Sequence, residues 1–76
     1  EELAEYEELI RRLYEAISSL PSMQARRVHA RYMLGMKVKD IAAMEGITPS
    51  QAGKSIHAAL RRLRRYFARQ KWTVNL

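Results

Sequence analysis

Leu3, Tyr6, Leu9, Ile10, Leu13, Ile17 and Leu20 recur at steps of three and four residues. That rhythm lines them up on one stripe of a 3.6-residue helix and predicts an amphipathic helix over residues 2–19. Its glutamates gather at the amino-terminal end, where they oppose the positive pole of the helix dipole. Ser18-Ser19-Leu20-Pro21 ends it. Pro21 suits the first turn of a second helix, because its missing N–H would be unpaired there anyway. That helix is expected over 21–34, with Ala25, Val28, Tyr32 and Met33 facing inward and Gly35 as its stop. A short third helix over 38–45 turns Ile41, Ala42 and Met44 inward and stops at Gly46.

The strongest local signal is Ile47-Thr48-Pro49-Ser50-Gln51. Thr48 can cap, Pro49 fits the first helical position, and Gln51 stands where a capping box needs a glutamine. A fourth helix is therefore expected over 49–70, with Ala52, Ile56, Ala59, Leu60, Leu63 and Phe67 on its buried face. Lys54, His57, Ala58, Arg61, Arg62 and Arg65 lie mostly on the other face. The closing Lys71-Trp72-Thr73-Val74-Asn75-Leu76 has no period, and Trp72 is expected to fold back on the core. The methionines and tyrosines are expected to pack, with Met36 as the one exposed exception. Taken together the pattern predicts an all-α, four-helix domain spanning residues 1–76, with no strand. Two short helices joined by a glycine turn and followed by a longer basic one form a helix-turn-helix, whose second member enters the DNA major groove.

Charge sharpens this picture. The chain has 76 residues and a formal net charge of +6. Residues 1–20 carry net −4, whereas residues 21–76 carry net +10. A basic body of that density attracts polyanions such as nucleic acid or an acidic membrane surface. With no cysteine there is neither a disulfide nor a thiolate metal site, as in a reducing compartment. No apolar run is long enough to span a bilayer, so a soluble, intracellular chain is expected. Since Glu1 stands first instead of methionine, the chain is expected to be one domain of a longer protein.

The segment from Leu20 to Arg65 resembles region 4 of bacterial RNA polymerase sigma factors. The matching features are Leu20-Pro21, Arg31-Tyr32, Gly35, Asp40-Ile41-Ala42, Gly46-Ile47-Thr48 and the Ala59-Leu60-Arg61-Arg62-Leu63-Arg64-Arg65 ending. The resemblance implies recognition of a promoter −35 element in double-stranded DNA and contact with RNA polymerase core subunits. It further implies a cytoplasmic, nucleoid-associated place in a bacterial cell. By position it puts Pro49, Ser50, Gln51, Gly53 and Lys54 at the groove. Lys37 departs from the family pattern, standing where a Ser or Thr usually caps the third helix. LuxR-type regulators share the four-helix plan and are the alternative within the same class. A basic protein-interaction module is the alternative outside it.

Base reading needs side chains from the first two turns of the recognition helix. Gln51 either caps or pairs with adenine, Lys54 meets guanine or a phosphate, and Ser50 can donate or accept. Gly53 costs about 1 kcal/mol relative to alanine in a helix. Beside Ser50 it leaves a face of little bulk, which would let the helix sit deep in the groove. Lys37, Lys39, Ser55, His57, Arg61, Arg62 and Arg65 are the expected phosphate contacts, and Arg26, Arg27 and Arg31 would extend that footprint. Enzyme chemistry has no foothold: there is no nucleophile triad ordering, no glycine-rich phosphate loop and no close histidine pair. His29 and His57 lie on different helices. No cofactor, metal, membrane or small-molecule substrate is expected.

Overall fold

The computed structural model describes residues 2–70, and Trp72 lies outside the described residues. Four α-helices follow one another: α1 (Glu2–Ser18), α2 (Ser22–Val28), α3 (Val38–Glu45) and α4 (Pro49–Arg69). Between α2 and α3 the chain continues through a π-helical turn, His29–Met33. Among the described residues there is no strand. No described helix is long and apolar enough to cross a membrane.

Each boundary has a local cause. At the end of α1 the hydroxyls of Ser18 and Ser19 donate to the carbonyls of Glu15 and Ala16 at 2.7 and 2.6 Å. Those bonds satisfy acceptors that the helix leaves open at its end. Pro21 precedes α2 with an extended backbone and accepts from Ala25 N at 2.9 Å, one position earlier than the sequence suggested. Gly35 and Gly46 both take left-handed conformations, with φ of 71° and 68°. At Gly46 this lets Ile47 N reach back to the Ala42 carbonyl at 3.0 Å and reverse the chain between α3 and α4.

The core has two lobes. Ala16, Ile17, Leu20, Val28, Ala59, Leu63 and Phe67 form the larger, joining α1, α2 and the later turns of α4. Ala30, Ile41 and Ile56 form the smaller, where α3 and the early turns of α4 meet the π-helical turn. Leu60 packs against both.

Several expected core residues lie outside it. In the π-helical turn, Leu34 N donates to His29 O at 3.1 Å, a five-residue step. The wider turn shifts the inward face by one position, so Met33 packs on the core while Tyr32 is 53% exposed. Met44 is 71% exposed, whereas Met36 packs against the smaller lobe, which reverses the expectation for both. Tyr6, Tyr14 and Met23 are exposed as well. Only the second half of α1 is buried: Leu3 is 69% exposed and Tyr6 and Leu9 lie open with it. The apolar stripe outruns the core that covers it.

Candidate nucleic-acid interface

The start of α4 is fixed by reciprocal bonds. Gln51 N donates to Thr48 Oγ1 at 3.1 Å, and Thr48 N donates to Gln51 Oε1 at 2.9 Å. This capping box sets where the first turn begins and which way its side chains leave the helix. It also bears on the two roles open to Gln51. Pairing with adenine needs the amide carbonyl and the amide N–H₂ together. The carbonyl is turned back onto Thr48, so that pairing would require the box to open, and capping is the role seen.

Beyond the cap, Ser50, Lys54, His57 and Arg61 are exposed and Gly53 is half-buried. Gly53, Lys54, His57 and Arg61 line a shallow depression of about 450 Å³. Three nitrogen-bearing side chains thus border a floor with no side chain of its own, a shape suited to a sugar-phosphate strand. Arg62 and Arg65 lie apart from this group. With Arg69, Tyr66, Ser19 and Leu20 they line a separate cavity of about 110 Å³ beside the end of α1. Lys37 and Lys39 are exposed at the start of α3, and Lys37 provides no side-chain cap there.

Gly53 is not required by the bundle. A Cβ built there meets nothing within 4 Å. Gly53→Ala is therefore expected to raise stability by about 0.5–1 kcal/mol, through helix propensity and a less disordered unfolded chain. Urea unfolding checks this, and a destabilised variant would show that the glycine serves the fold.

Two residues expected at the nucleic acid have partners within the chain. Ser55 is half-buried, and its Oγ accepts from Arg27 Nη1 at 2.8 Å, so its hydroxyl has an inward partner. Arg27 is engaged on Glu45. Its Nε donates to both Glu45 oxygens at 3.0 Å and its Nη2 to Glu45 Oε1 at 2.7 Å. Both side chains of this pair are only 15% exposed. The hydrogen bonds from Arg27 hold the Glu45 carboxyl below the usual carboxylate range, and Glu45 in turn raises Arg27. Arg31 is also engaged: its Nη1 donates to the Met36 carbonyl at 3.2 Å, leaving exposed Arg26 as the open member of that trio.

Sequence reasoning missed this cluster, although a signal was present. Glu45 is the last residue of α3, where a carboxylate faces the negative pole of the helix. A glutamate in that unfavourable place, within a strongly basic body, calls for a cationic neighbour. On α1, Arg11 and Arg12 bind the helix's own acids, Arg11 to Glu15 at 2.7 Å and Arg12 to Glu8 at 2.7 Å. These are exposed pairs and contribute little to stability. The hydrogen bonds from Arg11 and then Arg12 lower the Glu8 carboxyl.

Among the described residues no group of three His, Asp or Glu side chains could hold a metal ion. The family model "Sigma-70, region 4" matches residues 10–63. No curated protein and no solved structure matches the chain.

Proposed function

Because the chain belongs to the sigma-70 region 4 family, and is thus a helix-turn-helix DNA-binding domain of transcription initiation, we propose that α4 reads a promoter −35 element. The observation that supports this most is the capped start of α4, which presents exposed Ser50 and Lys54 beside a side-chain-free floor at Gly53. Lys54 donates to a guanine edge, Ser50 to either base of a pair, and His57 and Arg61 hold one phosphate strand. Lys37 and Lys39 meet the other. Gln51 keeps its capping role until the duplex draws its amide away.

The second half of the proposal is contact with RNA polymerase core subunits in a bacterial cytoplasm, close to the nucleoid. The exposed apolar residues Leu3, Tyr6 and Leu9 on the uncovered half of α1 support it. An apolar stripe that no described residue covers is suited to a partner outside the chain.

Selection of duplexes from a random pool, followed by competition against random duplex, tests the reading. A preferred sequence is expected. Equal affinity for all duplexes would leave an electrostatic interaction module, and paired half-sites bound by a dimer would favour a LuxR-type regulator. On the preferred site Lys54→Ala is expected to cost about 1–3 kcal/mol, roughly 5- to 150-fold in Kd. If the loss is equal on random duplex, Lys54 touches phosphate alone.

A further inference from the structure

We propose that Arg27, with Glu45, is a positioning residue for sequence reading: it fixes the rotation of α4 about its own axis through the Ser55 hydroxyl. The inference rests on the assignment of α4 as the DNA-reading helix.

A single guanidinium joins three helices. It leaves α2 at Arg27, closes a two-pronged contact on Glu45 at the end of α3, and donates its remaining arm to Ser55 on α4 at 2.8 Å. The group is planar and its donors point in fixed directions, so three contacts in one plane define an orientation and not merely a distance. Ser55 directly follows Lys54, and it lies one turn beyond Gln51.

The apolar contacts of the same turns cannot define that orientation as well. Ala52, Ile56 and Ala59 are buried, but two of the three are methyl groups with smooth, short profiles. They set how close α4 lies to its neighbours and resist rolling weakly. At a helix's outer radius of about 5–6 Å, a roll of about 20° moves a side-chain position by about 2 Å. That is enough to break a hydrogen bond to a base edge, which tolerates only a few tenths of an ångström. Phosphate contacts by long, flexible cations survive such a roll. The Arg27–Ser55 bond therefore governs discrimination between sequences more than overall affinity.

The experiment compares Ser55→Ala, Ser55→Thr and Arg27→Lys with the unaltered chain. For each, Kd is measured on the selected duplex and on random duplex, at a temperature where urea titration shows the variant folded. Ser55→Ala is expected to lower the selected-to-random affinity ratio at least fivefold while random-duplex affinity stays within twofold. Ser55→Thr, which keeps the hydroxyl, is expected to retain the ratio. Arg27→Lys keeps the charge and loses the fork, so its ratio should fall as in Ser55→Ala. If the folded Ser55→Ala variant keeps the full ratio, the positioning role is overturned while α4 remains the reader. If random-duplex affinity falls as far as selected-duplex affinity, Ser55 acts through general binding and the proposal is likewise overturned. Absence of any ratio in the unaltered chain overturns both assignments, and this shows before a variant is made.

Discussion

Leu63→Ala should remove about half or more of the domain's stability at 25 °C, as judged by the fall of the urea midpoint of the helical circular-dichroism signal. Leu63 is 1% exposed and sits among Ile17, Leu20, Val28 and Phe67. Deleting a buried leucine side chain costs about 2–5 kcal/mol, with the upper end reached where neighbours cannot collapse into the gap. Here α1, α2 and α4 all border the site, and Ala16 and Ala59 beside it have no length with which to fill a cavity. A domain of 76 residues has little stability to lose, about 5 kcal/mol in total. The exposed Leu3→Ala serves as control and should shift stability by no more than about 0.5 kcal/mol. A Leu63→Ala protein within about 1 kcal/mol of the original would mean the larger lobe of the core is misplaced.

Arg27→Ala should cost about 3 kcal/mol and change the shape of the pH profile as well as its height. Removing one member of a largely buried pair leaves the other charge without compensation, which is worse than never having built the pair. Glu45 would then stand at the negative end of α3 without its hydrogen-bonded guanidinium, with only the charge of exposed Arg26 acting on it. The pH dependence has a definite sign. Since the native Glu45 pKa is depressed by Arg27, its contribution is fully present above the ordinary glutamate value of about 4.3. It is lost as pH falls through the depressed native value. Glu8 bends the profile in the same direction, so the informative quantity is the difference between the two proteins. Urea unfolding at pH 7, 4 and 3 should show the gap between original and variant narrowing toward acid. A gap independent of pH would mean that Arg27 acts by packing alone.

The helical class, the two glycine stops and the start of α4 were legible because each rests on interactions within a few residues. Thr48 and Gln51 need only one another, and Gly46 needs only the preceding turn. The π-helical turn was not legible. Its signature is a slip of one position, and Tyr32 and Met33 are both apolar enough to be taken for the inward residue. Met36 and Met44 were interchanged for a related reason: both lie near a glycine, and Met36 is covered by a lobe that gathers Ala30, Ile41 and Ile56 from three elements. The stripe on α1 was correctly periodic, but periodicity carries no information on how far the covering core extends.

The site divided along the same line. Exposed cations and small residues on α4 could be named from spacing, since a helix's outward face follows from its inward one. Ser55 and Arg27 could not be sorted from those residues, because Arg27 meets Glu45 across 18 residues and Ser55 across 28. The sequence distinguishes a lysine from a serine, but not a hydroxyl that meets solvent from one that meets a guanidinium.

Leu60 touches both lobes of the core, and this removes any seam between them. The half closed by α1 and the half behind the early turns of α4 share a wall, so loosening one takes a packing partner from the other. Leu60→Ala is therefore expected to loosen both halves at once, and hydrogen exchange should rise in the early turns of α4 as well as beside α1.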